Sequence, residues 1–465
     1  MLVYTKLFAA FFLMLCIILC MFSLIVKNEK KLIYINNIVL LLASTSFFLY
    51  AGVKAIWFLI YIILITYVGG LLIYRQKKLF IILVPLLLAP LLVFKLLDFG
   101  GFTLAQPLGI SFVTLQSFTY IYAVFKGDLK PDKNFLKIAL FVSFFPCVSS
   151  GPIMEAGVLL PQFEKKIDFD YDRVTDGIKL YAWGIAKKLI LADNMAIYIN
   201  GVKDSVGTAD NSGVALLMVS LLYSFQLYFD FSGYSDIVIG CAKILGYDLI
   251  QNFDHPYLSR TVTEFWNRWH ISLSGWLKKY IYFPLGGSRV DRFRIYRNVM
   301  IVFIVSGFWH GNGFHFIVWG LLHGAFVCAE RMIRERKPGY KGNIFITYLT
   351  VTFAWIFFAS NNISEALITI RSFAKVPSEL FKFFTGQISG GIEELLLISD
   401  MKVFMICVIG LVLFIFISFK TRNKDGLSIV RNMPILLRWT GYYALILVIL
   451  FFASSEHVNF IYNSF

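Results

Sequence analysis

The sequence predicts an all-α, polytopic helical membrane protein, and three observations predict it. Of its 465 residues 58% are hydrophobic and only 15% are charged, with a mean hydropathy of +0.73. A soluble domain carries about 25% charge and about 45–50% apolar residues. This excess excludes a soluble enzyme, a disordered chain and a single-pass anchored protein. Next, about fourteen apolar stretches of roughly 20 residues each would consume about 280 residues. Finally, those stretches are continuous, whereas a membrane β-barrel shows alternating segments of about ten residues. We therefore expect one membrane domain over residues 1–465, with about 11–14 membrane segments, some of them re-entrant.

Taken in order, the first apolar stretch (residues 7–26) is too long for a signal-peptide core and lacks a small-residue cleavage site, so it reads as the first span. Basic clusters follow at Lys27/Lys30/Lys31, Arg75/Lys77/Lys78 and Lys126/Lys130/Lys133. Two apolar segments separate each cluster from the next, which returns the chain to one side; by the positive-inside rule that side is cytoplasmic. The same count holds for residues 289–297, 331–341 and 420–424, and leaves residues 361–400 and both ends outside. Residues 151–233 are broken by Gly, Pro and charges, and re-entrant segments are expected there. The net charge of +15 is then ordinary for cytoplasmic loops, and no nucleic-acid partner is expected. Six scattered cysteines without a Cys-x-x-Cys pair indicate neither a disulfide framework nor a metal site.

Residues 226–324 differ from the rest by carrying dense polar and aromatic groups at membrane-grade hydrophobicity. Gln226-Leu-Tyr-Phe-Asp230-Phe-Ser232-Gly-Tyr234-Ser-Asp236 sets two acids among apolar neighbours. Acids at that depth cost roughly 2.5–3.5 kcal/mol each and need partners or a water-filled cavity. Their spacing of six does not share a helix face, so a common metal is not expected; bracing of a helix broken at Ser232-Gly233 is. In Thr263-Glu264-Phe-Trp-Asn267-Arg268-Trp-His270-Ile-Ser-Leu-Ser274, Glu264 and Arg268 are an i,i+4 pair. Trp266, Trp269 and Trp276 suit an aromatic interface belt. Lys278, Lys279, Arg289, Arg292, Arg294 and Arg297 then form a basic section at the cytoplasmic face: an orientation signal, or a landing surface for a phosphorylated donor. An apolar run ends in Trp309-His310-Gly311, and an intramembrane ionisable group is a functional candidate by default. His323, in Gly320-Leu-Leu-His-Gly324, is a second candidate.

These residues carry a resemblance. The run 228–236, the run 264–274, Leu285-Gly-Gly287 and Gly307-Phe-Trp-His-Gly311 occur in an order that resembles the membrane-bound O-acyltransferase family, closest to its alginate O-acetyltransferase branch. Pro107-Leu-Gly-Ile-Ser-Phe112, Phe145-Pro146 and Gly151-Pro152 fit upstream, so the motif-bearing core is about residues 107–324. Cys147, Glu155, Gly157 and Ala123 depart from residues common in that branch. The resemblance implies a central tunnel in which an acyl group passes to a hydroxyl. It puts the catalytic histidine on His310 and the second motif histidine on His270. Around them we expect substrate contacts from Trp309, Asp230, Ser232, Tyr234, Asn267 and Arg268, and from Lys278 and Arg289 in the basic section.

The chemistry is consistent with that reading. Attack on a thioester needs a base for the hydroxyl proton, and an imidazole with pKa near 6.5, kept neutral by burial, suits it. The expected donor is acetyl-CoA or another acyl thioester, with no tightly bound cofactor; Arg forks suit its phosphates. The expected acceptor is a polysaccharide, or an extracytoplasmic acetyltransferase partner, reached from the outer side. Two further activities of the same class are D-alanyl transfer for teichoic acid and peptidoglycan O-acetylation. A transporter is the competing class; it predicts inverted internal repeats, which are not evident in the sequence.

Overall fold

The structure is a computed structural model that describes residues 3–102, 107–208, 211–422, 426–454, 458 and 460. Among the described residues all regular structure is helical. Eight helices among the described residues are long and apolar enough to cross a bilayer: Lys6–Ile25, Glu29–Tyr50, Val53–Arg75, Lys77–Phe99, Gly213–Ile244, Phe314–Arg336, Met401–Thr421 and Ile435–Phe452. Two shorter apolar helices are Phe135–Cys147 and Ile344–Ala359. Large side chains such as Leu13, Trp57 and Leu450 are exposed on the long helices, which is what a lipid-facing surface requires. Further apolar stretches lie in the helices Ile110–Lys126 and Arg292–His310.

The chain divides into two compact units. One comprises Met1–Gly184 and Tyr234–Gln251, the other Ile185–Gly233 and Asn252–Phe465. In the first, Val53–Arg75 buries Leu59, Ile62, Thr66, Gly69, Gly70 and Ile73, a stripe at helical spacing. Its glycines permit close packing on Ile110–Lys126: a Cβ at Gly70 would sit 2.6 Å from the Tyr120 ring. Ile110–Lys126 is buried almost throughout, polar residues included. Gln116 donates to the Phe141 carbonyl (2.7 Å) and accepts from the Met154 amide (3.1 Å), so both ends of its amide are satisfied.

The second unit is organised by two devices. Glu379 caps the helix Gly213–Ile244, accepting from the Gly213 and Val214 amides at 3.0 and 2.9 Å, where free N–H groups favour an anion. Arg292–His310 pairs with Phe314–Arg336 at near-backbone contact, because a Cβ at Gly307 would lie 2.4 Å from the Phe316 carbonyl and one at Gly320 2.3 Å from that of Phe303.

One expectation is corrected. Gly213–Ile244 runs unbroken for 32 residues, so Ser232-Gly233 is no break; the buried acid there is neutralised by lysine rather than by capping a helix end. The polar middle of the chain holds the helical run Tyr171–Ala186, Lys187–Ala192 and Asp193–Lys203, whose central turn is π-helical. Within it Lys179 pairs with Asp176 and Lys188 with Asp193.

Candidate active site

His310 is the last residue of the helix Arg292–His310 and is 2% exposed. Gly307 and Gly311 flank it for steric reasons. Gly307 lies against the Phe316 backbone, and a Cβ at Gly311 would overlap the Phe316 ring at 1.9 Å. The imidazole is ringed by aromatic groups: Trp309 at 4.8 Å, Trp319 at 5.1 Å and Phe358 at 5.5 Å between centroids. Edge-on approaches of this kind are favourable ring geometries and hold the histidine in one place.

His270 comes to the same point from a different element. Its ring centroid is 6.4 Å from that of His310 and 6.0 Å from that of Trp309. It precedes the helix Ile271–Leu277 with φ 44° and ψ 54°, a left-handed conformation uncommon for a residue with a side chain. Such strain persists only when the surroundings over-determine it, and here they do. The Asn252 carbonyl accepts from the Ile271 amide (2.9 Å). The Asn252 side-chain oxygen accepts from the Ser272 amide and hydroxyl at 3.3 and 2.7 Å. The Asp254 amide donates to the Arg268 carbonyl at 3.0 Å. Burial pushes the His270 imidazole pKa from its ordinary 6.5 down to about 3, because a charged ring would be desolvated; the ring is neutral at pH 7.

Phe231 stands edge-on to His270 at 4.6 Å, and its neighbours in sequence anchor it. Asp230 pairs with Lys188 at 2.7 Å, and Lys188 pairs with Asp193 at 2.7 Å. The Lys187 ammonium donates to the Ser232 hydroxyl at 3.0 Å. All five groups are buried. The π-helical turn Lys187–Ala192 carries both lysines, and π-turns are frequent at functional sites.

The structure thus assembles His310, His270 and Trp309, and Asp230 and Ser232 flank in sequence the Phe231 that touches His270. Tyr234 belongs to the other unit, where its hydroxyl donates to the Val148 carbonyl at 3.3 Å. Arg268 forms the expected pair with Glu264 (3.2 Å) and a second with Asp254 (3.3 Å), and Asn267 is exposed. Lys278 and Arg289 are exposed as well, while Arg292 and Arg294 pair with Glu335 and Asp291. Trp269, expected at an interface belt, is instead fully buried, packed on Phe265 and Trp355 at 5.4 and 5.2 Å. Sequence reasoning missed Asn252, Lys187, Lys188, Trp319 and Phe358. Two adjacent lysines ahead of an apolar run were the available signal for the lysine pair; the aromatic wall had none.

A family model described as MBOAT, membrane-bound O-acyltransferase family, matches residues 5–364. A peptidoglycan O-acetyltransferase of Helicobacter pylori is 34% identical over 401 residues, covering 77% of this chain and 75% of that protein. A probable alginate O-acetylase of Pseudomonas aeruginosa is 37% identical over 288 residues, 61% of this chain and 53% of that protein. A teichoic acid D-alanyltransferase of Bacillus subtilis is 27% identical over 263 residues, 54% of this chain and 66% of that protein. The chain therefore spans about half the length of the alginate relative.

Proposed function

We propose that this chain, which belongs to the membrane-bound O-acyltransferase family, carries acetyl from a cytoplasmic thioester, acetyl-CoA, to an extracytoplasmic hydroxyl of a cell-envelope polysaccharide or of an acetyltransferase acting on one. The O-acyltransferase class follows from the family. Acetyl as the cargo is supported by relatives named for O-acetylation at 34% and 37% identity, against 27% for the D-alanyl relative.

One observation carries the reading: two buried imidazoles from separate elements meet 6.4 Å apart inside an aromatic wall. In this reading His310 takes the proton of the acceptor hydroxyl as its oxygen attacks the thioester carbonyl. A tetrahedral oxyanion forms. It collapses by breaking the C–S bond, the thiolate leaves, and the proton held on His310 passes to that sulfur. The products are the ester and free thiol. Neutral His270 orients the reacting groups. A positioned base contributes about 10²–10⁴ in rate. Exposed Lys278 and Arg289 serve as the approach surface for the donor's phosphates, which cationic side chains attract over several ångströms.

The experiment is vectorial transfer in sealed proteoliposomes of known protein orientation. Acetyl-labelled acetyl-CoA is supplied on the side of Lys278 and a polysaccharide acceptor on the other. Label appearing on the separated acceptor supports the proposal. Label on acceptor only when both substrates share one compartment refutes vectorial transfer.

A further inference from the structure

His323 lies in the helix Phe314–Arg336 and is wholly buried, with 0% exposure. Indole nitrogen can only donate, so in the 3.3 Å contact of Trp266 Nε1 with His323 Nδ1 the imidazole accepts. That fixes the neutral tautomer: the proton sits on Nε2. His323 Nε2 has no protein partner among the described residues. A residue present for packing alone would avoid this desolvated polar atom, and phenylalanine would fill the volume without it.

The imidazole's contacts lead to both site histidines. It stands edge-on to Trp319 at 5.1 Å, and Trp319 stands edge-on to His310, also at 5.1 Å. It meets Trp266 at 4.9 Å and 87°, and Trp266 belongs to the short helix Val262–Arg268 that leads into the strained turn at His270. It also lies 5.8 Å from Trp355, which packs on Trp269. One imidazole therefore fixes the indole beside His310 and, by a hydrogen bond, the segment that delivers His270.

We infer that His323 is a positioning residue for acyl transfer, holding His310 and His270 in register through Trp319 and Trp266. This rests on the reading of His310 as the base. With register lost, the chemical step slows while donor binding at the exposed basic section is untouched; misplacement of about 1 Å costs up to roughly 100-fold.

The test is a set of variants in purified protein with acetyl-CoA and a soluble acceptor. His323→Phe should lower kcat roughly 10- to 100-fold with the KM for acetyl-CoA unchanged. His323→Asn, whose side-chain oxygen falls near the position of Nδ1, should recover much of the rate. Trp266→Phe should match His323→Phe, and the double variant should fall no further. The vibrational marker of indole N–H hydrogen bonding that Trp266→Phe removes from the wild-type spectrum should move to its unbonded position in His323→Phe and return in His323→Asn. Wild-type kcat in folded His323→Phe, or losses that multiply in the double variant, would overturn the inference. If His323→Phe does not fold, Trp266→Phe and His323→Asn decide by the same criteria. Full activity in His310→Ala would instead remove the reading on which the inference rests.

Discussion

The histidine turn and the basic section 278–297 are neighbours in sequence and opposites in physics. His270 and His310 are 1% and 2% exposed and boxed in by rings, whereas Lys278 and Arg289 are exposed. A buried group has fixed geometry and a strong field, so losing it removes a step. An exposed cation is screened within about 8 Å at physiological salt, so losing it changes encounter rather than chemistry. The same motif-rich stretch thus holds groups whose loss should differ by orders of magnitude.

Several substitutions would sharpen or break that contrast. The largest effect is expected from Lys188→Met, which leaves the Asp193 and Asp230 carboxylates buried without their common cation. Breaking a buried pair costs about 3–5 kcal/mol, enough to remove folded protein on size-exclusion chromatography in detergent. Replacing both acids with Asn as well should restore a monodisperse peak. A smaller loss is expected for Asn252→Ala, which frees the His270 turn; a net loss of about 1–3 kcal/mol should appear as a lower melting temperature and a reduced kcat, while Asn252→Asp keeps the acceptor and most of the rate.

Acid should act on the same buried turn. His270 has its folded-state pKa depressed to about 3, so below its unfolded value near 6.5 the unfolded chain binds the extra proton. Stability is then complete above pH 6.5 and falls as pH drops toward 3, by about 1 kcal/mol per pH unit for this group. Thermal midpoints measured from pH 7 to pH 4.5 should follow that fall, with a shallower slope in His270→Gln. The smallest effect belongs to the basic section. Lys278→Gln with Arg289→Gln should raise the KM for acetyl-CoA by a few fold at low salt and hardly at all at 0.5 M salt, leaving kcat intact. A loss of kcat there would erase the distinction between the two regions.

How much of this was legible depends on the range of the forces involved. Membrane class follows from composition alone. The Glu264–Arg268 pair is local and was read correctly. His310 stood out as a polar group at the end of an apolar run, and the family motif marked both it and His270. The continuity of Gly213–Ile244 was not legible, because whether Ser232-Gly233 breaks a helix depends on Lys187 and Lys188, more than forty positions away along the chain. Nor was the burial of Trp269 readable, since an indole suits an interface and a core equally well and Trp355 decides which. Strain at His270 is invisible in a sequence; only the Asn252 hydrogen bonds show why a left-handed residue is tolerated there.

The central claim is that the buried histidine, and not the charged surface near it, performs the chemistry. Single-turnover transfer of labelled acetyl from saturating acetyl-CoA isolates that step from donor encounter. Purified His310→Ala, matched to wild type in melting temperature, should lose about 10²–10⁴ in the transfer rate while still binding acetyl-CoA, and the Lys278→Gln/Arg289→Gln protein should transfer at the wild-type rate. Transfer by His310→Ala at the wild-type rate would contradict the account.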